Sequence, residues 1–143
     1  MSRFPKTVLV DTGFWYALCD DTDSYRTKAE QNADIIDTLN LLMPWPCLYE
    51  TFNTRFAKNG NAVKRLEALM KQDNVIRISD EPYREDALVI AMREAPARGI
   101  ALVDMVIRLI LDDIGVRKHG ILTFNPRDFA DICRKRQLEL LPY

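Results

Sequence analysis

Histidine and cysteine are scarce in this sequence, and their scarcity excludes two kinds of site. The single histidine, His119, and three widely spaced cysteines, Cys19, Cys47 and Cys133, do not form the clustered ligand set of a zinc site. An odd number of cysteines at these spacings also does not fit a disulfide framework. A reducing, cytoplasmic location is therefore expected.

The sequence also lacks a long apolar run and a strong net charge. No stretch reaches the length that spans a membrane, and no apolar run of signal-peptide length precedes Asp11. The formal net charge of −1 argues against nucleic-acid binding by bulk electrostatics alone, but the 20 lysines and arginines leave room for a local basic patch. With 143 residues, 48% of them hydrophobic, the chain is expected to form one domain over residues 1–143.

Short apolar runs alternate with segments of helical periodicity along the whole chain. The apolar runs predict strands at residues 7–10, 41–43, 75–79, 121–123 and 138–141. The helical patterns cover residues 24–39, 46–58, 61–72, 80–94 and 102–114, and a last segment that starts at 127 or 128 and ends at 136. This alternation predicts an α/β fold in which a mostly parallel sheet of about five strands is flanked by helices.

The triplet Asp11-Thr12-Gly13 directly after the first strand also occurs at the catalytic carboxylate of aspartic proteases. Retroviral-type proteases of comparable size are all-β dimers, whereas helical patterns dominate this chain. The protease interpretation of Asp11 is therefore rejected.

Four acidic residues stand out by their positions. Asp11 follows the first strand and Asp128 follows the strand that ends at Thr123, and sites in parallel sheets form at the carboxyl ends of strands. Glu50 and Asp104 lie in apolar helical segments, where an ionised side chain is costly to bury without a partner. Four carboxylates in one pocket would repel one another, and a hard divalent cation, Mg²⁺ or Mn²⁺, relieves that repulsion.

Each acid also has an ordinary structural interpretation, which the sequence leaves open. Asp11 is suited to cap the helical segment that follows it, and Asp128 to begin a helix and complement its dipole. Glu50 shares one side of its helix with polar neighbours and would then face solvent. Asp104 would then pair with Arg108, four residues further along the same helix.

The motifs around the four acids resemble those of the PIN domain, the nuclease fold of VapC toxins in bacterial and archaeal toxin–antitoxin pairs. VLVDTGFWYAL resembles the opening strand with its first acid, and PWPCLYETFNT resembles the second motif. IALVDMVIRLILDDIGV is similar to the third motif, in which an acid begins a central helix. ILTFNPRDF resembles the closing motif, carried here by Thr123, Asn125, Asp128 and Phe129.

The resemblance implies metal-dependent hydrolysis of RNA phosphodiester bonds. It assigns these roles: Asp11 and Asp104 as ligands of a first Mg²⁺ or Mn²⁺, Glu50 as ligand or water-orienting base, Asp128 as ligand of a second, substrate-assisted cation, and Thr123 and Asn125 as hydrogen-bonding supports. The implied partners are an RNA substrate, an antitoxin protein and a second copy of the chain.

Two positions depart from the family pattern. Gly13 stands where the family often has Ser or Asn, and Asn125 stands where many members have a fourth acid. Asn125 offers a neutral oxygen, so one negative charge is missing from the predicted site. The alternatives are therefore a catalytically weakened domain that acts as an RNA- or protein-binding regulator, and a housekeeping RNA-processing nuclease.

Basic and aromatic residues near the acids are candidates for RNA contacts: Arg55, Lys58, Lys64, Arg65 and Arg127. The basic run 134–137 is more typical of a solvated helix end. Trp15 and Tyr16 could stack on a base or support a homodimer, although core packing is expected for at least one of them. The apolar faces of 29–42 and 63–70 are candidates for the dimer contact, or else cover the sheet.

Overall fold

The computed structural model consists of one parallel sheet with helices on both faces, and it describes residues 5–142 apart from the side chain of Ala95. The strands are β1 (Thr7–Val10), β2 (Asn40–Pro44), β3 (Val75–Ile78), β4 (Gly120–Leu122) and β5 (Glu139–Leu141). The helices are α1 (Thr12–Cys19), α2 (Arg26–Gln31), α3 (Ala33–Ile36), α4 (Trp45–Thr51), α5 (Thr54–Ala57), α6 (Gly60–Met70), α7 (Arg84–Arg98), α8 (Leu102–Asp112) and α9 (Ala130–Arg136). The predicted α/β class and all five strands are confirmed.

The strand order creates a crevice at the carboxyl ends of β1 and β4. The five strands lie in the order β3-β2-β1-β4-β5, and every neighbouring pair is parallel. From β1 the chain builds outward through β2 to β3, then returns to the other side of β1 to form β4 and β5. In open parallel sheets, ligand sites form where the connections change direction in this way.

Two apolar layers cover the two faces of the sheet, as the alternation of side chains along a strand requires. Val8 and Val10 of β1 point into the layer that contains Trp15 of α1 and Leu66 of α6. Leu9 points into the opposite layer, which is built on α7, α8 and α9. Because most of α8 is covered by its neighbours, its nearly continuous apolar sequence is explained.

The apolar stripes considered for a dimer contact contribute to the first of these layers. Ala29, Ile36, Leu39 and Leu66 are buried in the protomer, whereas Ile35 remains about half exposed. Most of the apolar surface in 29–42 therefore covers the sheet, whereas Val63 and Met70 of 63–70 are half-buried and line a surface cavity. The homodimer stays a prediction.

Two predicted helices are each split in two. The segment 24–39 forms α2 and α3, and the break falls at Asn32, whose side-chain amide donates a 2.7 Å hydrogen bond to the Lys28 carbonyl. The segment 46–58 forms α4 and α5, because Phe52 leaves the helical conformation at φ −88° and ψ 57°. Asn53 then caps α5 by accepting a hydrogen bond from the Phe56 N–H.

Other helix boundaries differ by smaller amounts. The helix predicted for 80–94 begins at Arg84 after a turn and continues through Pro96 to Arg98. The segment predicted from 127 or 128 begins as a short 3₁₀ turn over Pro126–Asp128, and α9 follows it. Local side-chain hydrogen bonds and turn chemistry decide such boundaries, so the apolar periodicity locates the helices better than their ends.

The scarce residues have structural positions. Cys19, Cys47 and Cys133 are buried free thiols, and His119 Nδ1 accepts a 3.0 Å hydrogen bond from the Thr7 N–H at the start of β1. Within 5–142, no helix has both the length and the apolar character needed to cross a bilayer.

Two glycines are expected to respond oppositely to replacement by alanine. A Cβ on Gly120 in β4 would lie 2.5 Å from the Glu139 carbonyl oxygen, so Gly120→Ala is expected to lower the free energy of unfolding by about 1–3 kcal/mol. A Cβ on Gly13 in α1 would meet no atom within 4 Å, so Gly13→Ala is expected to raise it by about 0.5 kcal/mol through helix propensity. Urea unfolding of both variants measures the difference, and an equal response of the two would contradict the geometry.

Candidate metal centre

Asp11 lies at the crevice between the carboxyl ends of β1 and β4. Its backbone N–H donates a 3.0 Å hydrogen bond to the Leu122 carbonyl, which fixes it directly after the two strands. The carboxylate is almost fully buried, with 8% of the residue exposed. Oδ1 accepts a 2.7 Å hydrogen bond from the Thr12 N–H, and Oδ2 accepts a 2.9 Å hydrogen bond from Thr123 Oγ1.

These contacts show that Asp11 caps α1, as one interpretation of the sequence expected. The capping carboxylate nevertheless lies inside the crevice. Burial raises the pKa of Asp11, and the hydrogen bonds from Thr123 and Thr12 oppose that rise. The charges of Glu50 and Asp128 raise it further. Asp11 is thus a helix cap that also faces other carboxylates.

Glu50 reaches the same crevice from α4. Its Oε1 accepts a 2.6 Å hydrogen bond from Thr12 Oγ1, one residue after Asp11. The side chain is exposed, as the solvent-facing alternative expects, and α4 ends one residue later at Thr51. Glu50 therefore lies at the mouth of the crevice, tied to its wall by one hydroxyl group.

Asp104 begins the first turn of α8 and faces the other three carboxylates. It is half-buried, and its pKa is raised to about 7. Burial is the largest cause, followed by the charges of Asp11, Asp128 and Glu50 and by a hydrogen bond that the protonated carboxyl shares with Asp128. The charges of three acids from distant parts of the sequence act on this one group.

The alternative in which Asp104 pairs with Arg108 is wrong. The Arg108 guanidinium turns away to Asp131, with distances of 2.7 Å from Nη1 to Oδ1 and 2.8 Å from Nη2 to Oδ2. Nη1 also donates a 2.7 Å hydrogen bond to the Asp128 carbonyl. Arg108 thus fixes the turn that carries Asp128, while Asp104 is left facing carboxylates.

Thr123 and Asn125 connect the closing turn to Asp11. Thr123 is buried, and its hydroxyl donates to Asp11 while it accepts a 2.9 Å hydrogen bond from the Asn125 N–H. The Asn125 side-chain amide donates a 2.6 Å hydrogen bond to Asp128 Oδ2. Asn125 therefore supplies a donor where a fourth acid would supply a charge, and it occupies one oxygen of Asp128.

The buried thiol of Cys47 also responds to the carboxylates. Burial raises the pKa of Cys47, and the charges of Asp11, Glu50 and Asp104 raise it further. These acids come from the end of β1, from α4 and from α8, and the fold brings them to one end of the sheet. The charges of Glu50 and Asp128 act on both Asp11 and Asp104.

The donor set fits a hard divalent cation. It consists of carboxylate oxygens with hydroxyl and amide oxygens beside them, and the like charges raise the pKa of Asp104 until a cation compensates them. Within residues 5–142, no three acidic, histidine or cysteine side chains already converge at ligand spacing. One carboxylate oxygen of Glu50 is held by Thr12 and one of Asp128 by Asn125.

The residues considered for RNA contacts separate into groups. Trp15 is fully buried and its Nε1 donates to the Val10 carbonyl, so it belongs to the core, whereas Tyr16 is half-buried and lines a cleft beside Asp11. Arg65 forms a two-point ion pair with Asp21.

The remaining basic candidates lie on the surface. Arg55 and Lys58 line a shallow cavity of about 500 Å³. In the basic run, Lys135 and Arg136 pair with Asp112. Arg127 is exposed next to Asp128. Arg127 therefore provides a positively charged side chain beside the site, while the run at 134–137 stabilises the packing of α9 against α8.

Three contributions to the site are not apparent in the sequence motifs. Thr12, the residue after Asp11, holds Glu50 through its hydroxyl group. Asp131 orients Arg108, and Tyr25 forms part of the cleft wall. The hydroxyl residue after a strand-end acid is a usable local signal for Thr12. The other two contributions depend on contacts between segments distant in sequence, which no local pattern specifies.

No protein-family model matches this chain, and no curated protein matches it significantly. The likeness to the PIN domain therefore rests on the four motifs and on the placement of their acids.

Proposed function

We propose that this chain is a divalent-metal-dependent endoribonuclease that hydrolyses RNA phosphodiester bonds and acts as the toxin of a toxin–antitoxin pair. The supporting observation is that Asp11, Glu50, Asp104 and Asp128 lie around one crevice at the carboxyl ends of β1 and β4, near enough for the other three charges to raise the pKa of Asp104. The toxin role, the antitoxin and the homodimer come from the resemblance of the motifs alone.

In this proposal, Asp11 and Asp104 hold the first cation, and Asp128 holds a second one that arrives with the substrate. A bound Mg²⁺ or Mn²⁺ would lower the pKa of a water molecule and would compensate negative charge on the phosphate oxygens. Thr12 and Thr123 keep the Asp11 carboxylate oriented by their hydrogen bonds.

Glu50 is the proposed water-orienting base. Its Oε1 is held by Thr12 Oγ1, so Oε2 is the oxygen left to accept a proton at the mouth of the crevice. The acid-lined crevice repels RNA without metal, so cation binding precedes or accompanies substrate binding.

Asn125 supports a second candidate, a weakened PIN-like domain that binds RNA or protein without cleaving it. Its amide is engaged with Asp128 and adds no charge for a second cation. Calorimetric titration with Mn²⁺ separates the two: binding that a phosphate analogue strengthens favours the nuclease, and no binding under either condition favours the regulator.

The decisive test is cleavage of structured RNA that contains both paired and unpaired segments, by wild-type protein with Mg²⁺ or Mn²⁺, and with EDTA. We expect Asp11→Asn to lower metal-dependent cleavage at least about 100-fold, because asparagine keeps the Thr12 contact but removes a charged ligand. Asp37→Asn, at an exposed acid after α3, is the control and is expected to cleave normally. Undiminished cleavage by Asp11→Asn would reject the assignment.

A further inference from the structure

A cleft of about 440 Å³ opens directly beside the carboxylates, on the side of α1 and α2. Asp11 and Asn125, which belong to the proposed reaction site, line the cleft together with Tyr25. The size of the cleft lies within the range of small-ligand sites. None of the steps proposed above gives the open space of this cleft a ligand.

Three aromatic rings form a continuous stack, and the outer two, Phe124 and Tyr25, line the cleft. Phe14 and Phe124 lie 5.0 Å apart between centroids at 17°, and Phe124 and Tyr25 lie 4.5 Å apart at 7°. Phe14 is fully buried, whereas 47% of Tyr25 is exposed. The stack therefore runs from the core to the surface and ends on an open aromatic ring.

The backbone around Tyr25 is held by several hydrogen bonds. The Tyr25 N–H donates 2.8 Å to Asp23 Oδ1, and the Arg26 N–H donates to the Asp23 carbonyl. The Arg26 guanidinium also donates to the Leu18 carbonyl near the end of α1. The backbone that carries Tyr25 is thus ordered, and its ring is stacked on Phe124, before any ligand arrives, which reduces the entropy lost on binding.

The charges around the cleft favour a base over a phosphate. Asp23 lines the cleft, and its negative charge repels a phosphate group but can accept a hydrogen bond from a base amino group. The Ser24 hydroxyl can either donate to or accept from a base edge. Lys28 lies outside the lining, with Nζ 6.0 Å from the Phe124 centroid, where it can attract the strand's backbone.

We propose that this cleft binds the unpaired base next to the scissile phosphate, which stacks on Tyr25 while the phosphate lies at the carboxylates. The inference rests on the proposed function and adds to it a base-binding subsite built on Tyr25. A base in a duplex is already stacked between its neighbours and cannot enter the cleft. Aromatic stacking of this kind is tolerant of sequence, so the cleft selects unpaired nucleotides over paired ones.

The test uses a short single-stranded oligonucleotide that carries 2-aminopurine, whose fluorescence falls when it stacks, in Ca²⁺ so that binding is observed apart from cleavage. Wild type and Tyr25→Phe are expected to quench the probe equally. Tyr25→Ala and Tyr25→Leu are expected to lose the quenching and to bind the single strand about tenfold more weakly. Tyr25→Leu keeps an apolar side chain over Phe124, so a loss of quenching in this variant is due to the missing aromatic ring and not to lost packing.

Phe52→Ala is the matched control, because Phe52 is an aromatic residue that is 50% exposed and lines a different cavity, together with Trp45 and Tyr49. It is expected to bind and quench as wild type does. Equal binding by wild type and Tyr25→Ala, preference for duplex RNA, or no binding at all would overturn the proposal. Cleavage that is independent of Tyr25 would support the nuclease proposal and reject the base-binding cleft. Tyr25-dependent quenching without cleavage would support the base-binding cleft and reject the nuclease proposal.

Discussion

Replacing Asp104 by asparagine is expected to stabilise the metal-free protein at neutral and alkaline pH and to abolish metal-dependent RNA cleavage. The pKa of Asp104 is raised from 3.8 to about 7 by burial and by the charges of Asp11, Asp128 and Glu50. The folded protein therefore holds a proton that the unfolded chain has released between about pH 4 and pH 7. In that interval, the wild type loses stability as the pH rises.

The asparagine variant has no such titration at this position. The difference in free energy of unfolding between the variant and wild type therefore grows from about pH 4 and is complete above about pH 7. One pKa unit corresponds to about 1.4 kcal/mol, so the full rise sets an upper bound of about 4 kcal/mol. Solvent screens part of the repulsion at this half-buried group, and we expect the free energy of unfolding of the variant at about pH 8 to be about 2–4 kcal/mol higher than that of wild type. Urea unfolding in EDTA across this pH range measures it. Below about pH 4 the two proteins should unfold alike, because Asp104 is protonated in both states of the wild type.

Cleavage is expected to fall at least about 100-fold in the same variant, because a charged ligand of the first cation is lost. Asp112→Asn on the same helix is the control, with the opposite effect on stability. Burial acts to raise the pKa of Asp112, but the ion pairs with Lys135 and Arg136 outweigh this effect and the pKa is lowered. Removing the Asp112 charge should therefore destabilise the protein slightly. Reduced stability of metal-free Asp104→Asn would show that the four charges do not repel as described.

Replacing Arg108 by methionine is expected to destabilise the protein and weaken the site together. Arg108 is 7% exposed and its guanidinium holds both the Asp131 carboxylate and the Asp128 carbonyl. Methionine fills much of the space but provides no donors. Because Asp131 keeps contact with water, we expect a loss of about 2 kcal/mol, below the range for a fully buried pair.

Metal-dependent cleavage by Arg108→Met is expected to fall about 10- to 100-fold, as is typical when a residue that orients a ligand is removed. Arg98→Met is the matched control, since Arg98 contacts the same Asp131 at 3.8 Å from an exposed position. It should change stability by less than about 0.5 kcal/mol and leave cleavage unchanged. A similar response of the two arginine variants would contradict the anchoring role of Arg108.

The acidity of Asp131 gives this prediction a pH signature. The Arg108 hydrogen bond lowers the pKa of Asp131 to about 2, so its stabilising contribution is present above about pH 4 and is lost as the pH falls toward 2. The stability difference between wild type and Arg108→Met should therefore shrink over that interval. A difference that stays constant down to pH 2 would assign the effect to packing alone.

The sequence predicted much of the candidate site because its acids occupy positions with a local signal. Asp11 and Asp128 follow apolar runs that form strands, and the carboxyl ends of parallel strands share one edge of a sheet. Asp104 stands out as a charge in an apolar helix. Each of these signals lies within a short stretch of chain, which is why composition and periodicity were sufficient to find it.

Other predictions failed where a single side chain decided the local geometry. The break at Asn32 depends on one side-chain hydrogen bond to the Lys28 carbonyl, and the end of α4 depends on the conformation of Phe52. The supposed partner of Asp104 was wrong because Arg108 binds Asp131, an acid on a different helix. Sequence spacing identifies possible partners on the same helix but carries no information about competitors from elsewhere.

The sequence by itself determined the α/β class, the five strands and the four acids, because strand and helix periods and strand-end positions are local properties. Only the tertiary structure decided the strand order β3-β2-β1-β4-β5, and with it the crevice where the acids meet. It also decided that Asp104 faces carboxylates and that Tyr25 ends an aromatic stack beside them. These are contacts between distant segments, and they are fixed by how the packed layers fit together rather than by any stretch of sequence.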